Sequence, residues 1–311
     1  MDTRAMRVVA RGVATRIPYL DRCLPRRSWG GFLGSYYYSV WLRHLVLAGE
    51  AGLPTQYETV AELGPGDTLG VGMAALLSGA VSYCALDVMA FAANDRNLGL
   101  LDEVRALFES RAGISGDFGP QVPSREFPSS LLPDSLLEKS LQPARVECIR
   151  RLLTGEAAQA DDLVRVRYFA PWSDPAVIRE ASVDLVLSQA VMEYIDDLSF
   201  AYRAIHRWLR PGGFMSHMID LRCHGTASVW NGHWLYSDFV WNLIKGRRPC
   251  FISRHPWSIH EKAILDAGFR IIRTVKNRAD STFGLDRCPS HFTEEDVTTR
   301  SVFVQAQKPP D

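Results

Sequence analysis

The segment 59–79 most constrains how this chain of 311 residues can fold; it reads TVAELGPGDTLGVGMAALLSG. Its apolar start ends at Leu63 in a glycine-rich loop, and the residues after Gly70 have the apolar spacing of a helix. A strand, a tight turn and a helix in this order open a doubly wound α/β sheet. Gly64 and Gly66 let the backbone turn sharply and approach a ligand, because glycine has no Cβ.

A second apolar run, residues 81–86, ends at Asp87. An acidic side chain at the tip of the second strand is typical of a group that binds ribose hydroxyls. The dinucleotide fingerprint requires glycine at the position that Leu69 occupies. Glu62 also places a negative charge beside the loop, which suits a cationic ligand better than a pyrophosphate. The two strand ends therefore predict an adenosine-containing cofactor and favour a cationic one.

The composition argues against several classes of function. The formal net charge is 0, with 35 basic and 35 acidic residues, so we expect no nucleic-acid partner. No apolar run reaches the ~18 to 20 residues that span a bilayer. The 6 cysteines lack the paired spacing of metal sites and no export signal is visible, so we expect no metal and reduced thiols in a cytoplasmic protein.

The first 28 residues contain seven arginines and a helical apolar spacing. This pattern predicts an amphipathic helix docked on the domain, with its basic face in solvent. A weak contact of this Arg-rich helix with an anionic membrane surface is the alternative. The apolar positions are Val8, Val9, Val13, Ile17 and Leu20.

The rest of the chain continues the alternation of strands and helices. Further strands are predicted at residues 163–169, 183–188, 214–219, 270–275 and 301–306. The second and third strands are separated by far more chain than a plain crossover requires. Residues 110–160 are therefore interpreted as an insertion that forms a substrate-side cap.

Five blocks of the sequence, in this order, resemble the class I S-adenosylmethionine-dependent methyltransferases. The blocks are AELGPGDTLG, ALD at 85–87, SVDLVLSQAVMEYIDD, LRPGG at 209–213 and LDAGFRII at 265–272. The resemblance implies a Rossmann-like, seven-stranded sheet whose last strand is antiparallel, with N-terminal helices and helical and aromatic insertions. It also implies a helical segment at 1–57 packed on a methyltransferase domain at 58–311.

The resemblance assigns cofactor-binding roles to residues that follow four of the strands. Asp87 would accept hydrogen bonds from the ribose, and residues 170–172 lie where the adenine is held. Stacking of Trp172 on the adenine and packing of Trp172 in the core are alternatives. The chain departs from the family at Tyr194, where members often have histidine. The full predicted set is Glu62, Gly64, Pro65 and Gly66 around the methionine moiety, Asp87, Ala170 and Trp172, and Ser188 and Gln189 beside the methyl group and acceptor.

Methyl transfer to oxygen or nitrogen also needs a group that takes the acceptor's proton. The candidates follow the fifth strand, at the edge where ligands bind in such sheets. His217 and Asp220 lie near the end of that strand, and His224 and His233 follow in loops. Imidazole titrates near pH 6.5, which suits proton abstraction at neutral pH.

Residues 221–257 form a second insertion, predicted to lie on the substrate side, with four of the chain's 8 tryptophans. These aromatic residues would stack on a sugar or planar acceptor, and Lys245, Arg247 and Arg248 would hold an anionic group on it. In the alternative, residues 239–244 form a buried helix whose C-terminal charges complement the helix dipole.

The sequence therefore predicts an enzyme that transfers a methyl group from S-adenosyl-L-methionine to a small-molecule or glycan-type acceptor, with oxygen as the favoured target atom. Two alternatives stay open. One is an NAD(P)-dependent oxidoreductase, and the other is a non-catalytic module that binds an adenosine cofactor.

Overall fold

The computed structural model describes residues 3–17, 19, 32–92, 94–248, 250–281 and 283–310. Its strands are β1 (Thr59–Leu63), β2 (Ser82–Leu86), β3 (Arg165–Phe169), β4 (Val183–Gln189), β5 (Leu209–Asp220), β6 (Arg270–Arg278) and β7 (Thr299–Gln307). They form one seven-stranded sheet in the order β3-β2-β1-β4-β5-β7-β6. β7 runs antiparallel to both of its neighbours, which confirms the predicted doubly wound sheet with an antiparallel last strand.

β5 begins earlier than the sequence predicted. Leu209 already pairs with Val183, and the next pair is Phe214 with Leu185, so β5 carries extra residues between the two pairs. Residues 210–213, which precede the predicted strand, therefore form an irregularity within β5. Gly212, with φ of 76°, supplies the left-handed backbone conformation that glycine adopts most easily.

One face of the sheet is covered by helices from the first half of the chain. These are α2 (Gly34–Glu50), α3 (Gly70–Leu77), α4 (Asn94–Glu109), α5 (Asp134–Ser140) and α6 (Pro143–Leu153). The larger core lies here, because alternate residues of β1, β2 and β4 point to this face.

The opposite face is covered by α7 (Leu198–Trp208), α9 (Trp257–Asp266) and α10 (Glu294–Thr298). Its core contains the other residues of the same strands, such as Ala61, Cys84 and Val186. The link from β3 to β4 contains only a short 3-10 turn, Pro175–Val177, so the structure places no α-helix between these two strands.

The segment predicted as a cap is divided between two places. Phe118 lies at the carboxyl ends of the strands, where its carbonyl accepts a hydrogen bond from Gln189. The later part, through α5 and α6, packs on the sheet, with Leu132, Leu137 and Ile149 buried in the larger core. Only the part around Phe118 therefore lies on the side of the candidate site.

The amino-terminal helix α1 (Thr3–Ala14) packs against α8 (Asp238–Lys245), which belongs to the 221–257 insertion. Its buried residues are Ala5 and Gly12, with Val8 and Val9 partly buried. Val13 and Ile17 are exposed, so the buried face differs from the predicted one, and Leu20 lies outside the described residues. In the part of the chain that is described, no helix is both long and apolar enough to cross a membrane.

Candidate active site

The glycine loop after β1 has the backbone shape that its sequence predicts. Gly64 and Gly66 have φ angles of 64° and 74°, in the left-handed region. A Cβ on Gly64 would lie 2.6 Å from a methyl carbon of Val191, which follows β4. The loop therefore needs glycine at position 64 both for its conformation and for its approach to β4. Pro65 is buried between the two glycines.

Asp87 lies at the tip of β2, as predicted, with its carboxylate turned back toward the loop. Its oxygens accept hydrogen bonds from the amide of Val88 at 2.7 Å and from the amide of Gly66 at 3.4 Å. Burial raises the pKa of Asp87 above its usual value, although these amides and that of Met89 oppose the rise. A buried carboxylate fixed beside the glycine loop fits the binding of a ribose diol.

Glu62 does not carry the charge that the sequence analysis gave it. Its carboxyl group is buried and accepts a hydrogen bond from the hydroxyl of Tyr83 at 2.5 Å. Burial raises the pKa of Glu62 to about 8, because the charged form loses its hydration. Glu62 is therefore mainly protonated at neutral pH, and it supports the loop from below instead of presenting an anion to a ligand.

Trp172 packs in the core. Its ring stacks with Phe200 at 6.1 Å between centroids and meets the edge of Trp208 at 5.5 Å. The backbone amide of Trp172 donates to the carbonyl of Asp87, so residues 170–172, including Ala170, remain beside the predicted ribose site. Of the two alternatives for the ring, the geometry favours packing.

Ser188 and His217 form a buried pair. They lie side by side on β4 and β5, and the Ser188 hydroxyl and the His217 Nδ1 atom are 2.8 Å apart. Burial lowers the pKa of His217 to about 3, and the neighbouring His44 adds to this effect. Neither side chain is exposed. His217 is therefore unsuited to act as a general base, because it is enclosed by the sheet and the helices that cover it.

Gln189, the last residue of β4, lies at the mouth of the cleft. Its amide nitrogen donates to the carbonyl of Phe118 at 2.6 Å. Phe118 in turn meets the edge of the Tyr36 ring, which stacks on Phe32 at 4.1 Å. Glu62 contributes to raising the pKa of Tyr36, after the dominant effect of burial, so Tyr36 lies near the glycine loop. These three rings, Phe32, Tyr36 and Phe118, form an aromatic cover on this side of the cleft.

A polar cluster follows β4 and β5. His224 lies between the Tyr194 hydroxyl, 3.0 Å from its Nδ1 atom, and the Asp220 carboxylate, 3.4 Å from its Nε2 atom. Asp220 also accepts two hydrogen bonds from the guanidinium of Arg222. Although burial alone would raise it, these contacts lower the pKa of Asp220 below its usual value. Asp220 is thus an anion held by its neighbours, and His224 is hydrogen-bonded through Nδ1 to Tyr194 and lies within ion-pair distance of Asp220 through Nε2.

His233 lies next to this cluster but is enclosed. It packs against Trp234 and Trp241, with ring centroids 4.9 Å and 6.1 Å away. Burial lowers the pKa of His233 to about 3, and the nearby His224 and Arg254 add to this effect. Like His217, His233 is neutral throughout the physiological range and poorly placed to take a proton.

Glu193 was not among the predicted site residues, although its carboxyl group is the most unusual one in the cluster. It is buried in a 3-10 turn after β4, and neither oxygen makes a hydrogen bond of normal geometry with the described residues. Burial raises the pKa of Glu193 well above its usual value, and the charge of Asp220 adds to the rise. The sequence signal was its position directly after an apolar strand, within the block that resembles the methyltransferases.

The 221–257 insertion reaches over the cleft. The amide of Ser253 donates to the carbonyl of Glu193 at 2.6 Å, and Lys245 forms an ion pair with Asp196. Burial raises the pKa of Cys250 to about 11, and the carboxylates of Asp87 and Glu193 contribute. Cys250 therefore lies within electrostatic range of Asp87, Glu193 and Asp196.

Three of the four tryptophans of this insertion pack in the interior of the protein. Trp234, Trp241 and Trp257 are buried. Arg248 donates to the carbonyls of Ile244 and Lys245, at the C-terminal end of α8. This arrangement agrees with the helix-capping part of the buried-helix alternative, although Phe239 is exposed. Trp230 is half-buried and donates to the carbonyl of Asp280. Among the described residues, no group of three or more metal-ligating side chains converges.

A family model relates part of the chain to known proteins. Residues 156–216 match the model of a family described as a methyltransferase domain. This region contains β3, β4, α7 and the first part of β5, and thus the turn with Glu193. No curated protein matches the chain.

Solved structures resemble the chain at low identity. A methyltransferase bound to its Trm112 activator, from Haloferax volcanii, is 16% identical over 89% of this chain and 95% of its own, with a TM-score of 0.41. An S-adenosylmethionine-dependent methyltransferase from Methanosarcina mazei is 11% identical over 83% and 95%, with a TM-score of 0.43. The geranyl diphosphate C-methyltransferase from Streptomyces coelicolor is 14% identical over 88% and 79%, with a TM-score of 0.44. Similarities of this size carry no information about the acceptor.

Proposed function

We propose that this chain, a class I S-adenosylmethionine-dependent methyltransferase, methylates a hydroxyl oxygen of a small-molecule or glycan-type acceptor that binds beside Glu193. The coarse part of this statement follows from the strand order and from the methyltransferase-domain match. The acceptor class, the target atom and the residue roles are the proposal.

The residues present fit S-adenosyl-L-methionine. Gly64 lies in close contact with Val191, so the glycine loop and the end of β4 lie side by side. Asp87 offers a fixed carboxylate for the ribose, and the Phe32, Tyr36 and Phe118 rings cover the loop on one side. When bound, the cofactor supplies a methyl group on a positively charged sulfur. The chain's own residues hold the acceptor, exclude water and take the acceptor's proton.

The unsatisfied carboxyl group of Glu193 carries the acceptor proposal. Buried polar groups in folded proteins almost always have hydrogen-bond partners, because leaving one without a partner is costly. Both oxygens of Glu193 lack a hydrogen bond of normal geometry among the described residues, although the backbone amides of Glu193 and Asp220 lie close enough to oppose the rise of its pKa. A hydroxyl group of a bound acceptor would donate the missing hydrogen bond and would hold its oxygen at this end of the sheet.

Glu193 is also better suited than the histidines to take the proton. Glu193, His217 and His233 are all buried, but burial lowers the pKa values of the two histidines and so makes them weaker proton acceptors. His224 lies between Tyr194 and Asp220. A carboxylate of raised pKa is a stronger proton acceptor than an ordinary one, and it becomes available as the pH rises through that pKa. We therefore assign Glu193 the role of general base and Asp220, with Arg222, the role of positioning His224.

The test combines cofactor binding with methyl transfer. Labelled S-adenosyl-L-methionine and a panel of phenols, sugars and other hydroxyl compounds identify an acceptor for the wild type. Glu193→Gln should then lower kcat by about 100-fold or more and remove the rise of kcat with pH, because the base is lost. Its affinity for S-adenosylhomocysteine, measured by calorimetry, should stay unchanged. A kcat of Glu193→Gln equal to that of the wild type would refute the assignment.

Asp87→Ala is the matched counterpart, since it removes a carboxylate from the cofactor side of the same cleft. It should weaken S-adenosylhomocysteine binding by ~1 to 3 kcal/mol. Binding of NAD without S-adenosylhomocysteine would favour the oxidoreductase alternative. Binding of S-adenosylhomocysteine without transfer to any acceptor would favour the non-catalytic module. The expected cytoplasmic location accords with the free state of the five described cysteines, while Cys23 lies outside the described residues.

A further inference from the structure

Two clefts of the described residues lie at the amino ends of the strands, opposite the candidate active site. One, of about 460 Å³, has Thr59, Ser82 and Ser182 in its wall, from the starts of β1, β2 and β4. It also contains four arginines: Arg165, Arg167, Arg179 and Arg210. The strands that run from these amino ends to the carboxyl ends are five or more residues long. Roughly 15 Å therefore separates this cleft from the glycine loop.

The acidic residue at the base of this cleft is fully used by its neighbours. Asp184 is buried, and one of its oxygens accepts from the amides of Glu58 and Thr59 at 2.6 Å and 2.7 Å. Its other oxygen lies 2.7 Å from the Nε atom of Arg210. Asp184 thus neutralises Arg210, while the exposed Glu58, which also lines this cleft, brings one further carboxylate beside the other three arginines.

Arg165, Arg167 and Arg179 form no ion pair with any described residue. Arg165 and Arg167 lie on β3, on a stretch of sheet that no helix covers because the β3–β4 link is short. The recorded polar contact of the Arg167 guanidinium is with the sulfur of Cys84, 3.1 Å away, and sulfur is a weak acceptor. Three exposed guanidinium groups around one cleft therefore present planar donor pairs suited to phosphate oxygens.

A second cleft, of about 370 Å³, adjoins the first and shares Glu58 and Arg210 with it. Its wall combines apolar residues, among them Trp41, Leu45, Tyr57, Leu132 and Leu136, with the polar Thr55, Gln56 and Ser78. A cleft rich in arginine thus continues into one that is partly apolar. The two volumes together are in the range of ordinary small-ligand sites.

We propose that these two clefts form a second ligand site, separate from the methyl-transfer site, for a phosphate ester with an apolar organic group. The phosphate lies among Arg165, Arg167 and Arg179, and the organic group enters the second cleft beside Trp41. The charge of the first cleft and the apolar residues of the second together select this class over inorganic anions and over uncharged apolar compounds.

Calorimetric titration of the full chain with phenyl phosphate and with inorganic phosphate tests this site. The wild type should bind phenyl phosphate with a Kd below about 1 mM, and at least ~10-fold more tightly than inorganic phosphate. Arg165→Gln combined with Arg179→Gln should weaken phenyl phosphate binding by at least ~10-fold. The matched control is Arg105→Gln combined with Arg203→Gln, which removes two exposed arginines from α4 and α7, and it should bind like the wild type.

Thermal melting of each variant reports whether it is folded. Absence of phenyl phosphate binding to the wild type would overturn the proposal. Equal weakening in the two double variants would show a general charge effect and would also overturn it. Equal affinity for the two probes would contradict the role of the second cleft. None of these outcomes depends on methyl transfer, so failure here leaves the proposed function standing.

Discussion

Position 64 requires glycine because of its left-handed backbone conformation and because of its close contact with Val191. Gly64→Ala should destabilise the protein by about 2 to 4 kcal/mol, because an alanine in the left-handed region is strained and its Cβ would overlap Val191. Gly52 has a similar φ of 70°, but a Cβ there meets nothing within 4 Å. Gly52→Ala should therefore cost only about 1 kcal/mol. Denaturant unfolding of both variants provides the comparison.

Val191→Ala in the Gly64→Ala background separates the two causes. If the overlap with Val191 contributes, the double variant will recover part of the lost free energy of unfolding, giving a coupling of about 1 kcal/mol. Strictly additive effects, or equal losses for the two glycine variants, would show that the contact between the loop and β4 is unimportant for stability.

At the scale of elements, the buried Arg43 helps to fix the loop that carries Phe118, together with Gln189, which donates to the carbonyl of Phe118, and Ser39, whose hydroxyl accepts from the amide of Ser115. Arg43, in α2, donates hydrogen bonds to the carbonyls of Pro120 at 3.1 Å, Ser115 at 3.2 Å and Gly116. Arg43→Met should cost about 1.5 to 3 kcal/mol, because these carbonyls lose a charged donor. The loop should also open more often, so that chymotrypsin cleaves after Phe118 at least ~10-fold faster than in the wild type.

Arg105→Met is the control for this element, since Arg105 is exposed on α4 and pairs only with Glu109 one turn away. It should leave both the cleavage rate after Phe118 and the free energy of unfolding nearly unchanged. Equal cleavage of Arg43→Met and wild type would mean that the contacts with Tyr36, Gln189 and Ser39 hold the loop without the arginine.

At the scale of the molecule, buried histidines with lowered pKa values and the buried Glu62 with a raised pKa should together give a maximum of stability near pH 6.5. Burial lowers the pKa of His44 to about 4 and those of His217, His233 and His260 to about 3. The unfolded chain binds these protons near pH 6.5, so stability falls as the pH drops from there toward 4. Each histidine contributes up to about 1.4 kcal/mol per pH unit in that window.

Glu62 has the opposite effect on the pH dependence, because its contribution to stability decreases as the pH rises. The folded protein keeps its proton up to a pKa of about 8, whereas the unfolded chain releases it near 4.5, so this contribution is lost as the pH rises between those values. Glu62→Gln should therefore reduce the fall in stability between pH 6.5 and 8 by roughly 2 kcal/mol. Urea unfolding across this range, with the exposed Glu50→Gln as control, measures the difference. Parallel curves for Glu62→Gln and wild type would contradict the raised pKa.

Much of the fold could be predicted from the sequence because it depends on local patterns. Apolar runs placed every strand of the sheet, and the glycines at 64 and 66 identified the turn over which the cofactor is expected. The predicted ends of the strands were less accurate where pairing with a neighbouring strand sets the end. β5, for example, begins at Leu209 because that residue pairs with Val183 across an irregularity that no local pattern reveals.

The candidate site depended more on contacts between distant residues. The sequence placed Asp87 at a strand tip, and the structure found it there with its carboxylate fixed by nearby amides. The sequence also predicted a catalytic role for His217, which is buried beside Ser188 in the sheet, and it did not predict one for Glu193. Whether a polar side chain at a strand end is buried, paired or open to a ligand depends on what packs against it.

The sequence by itself thus determined the alternation of strands and helices, the order of the blocks and the backbone shape of the glycine loop. These depend on residues close together in the chain. The tertiary structure alone decided that burial raises the pKa of Glu62, that Glu193 is buried without a hydrogen bond of normal geometry among the described residues, and that three arginines line a cleft at the far edge. Charge state and hydrogen bonding follow from burial and from neighbours distant in sequence, which only the folded chain brings together.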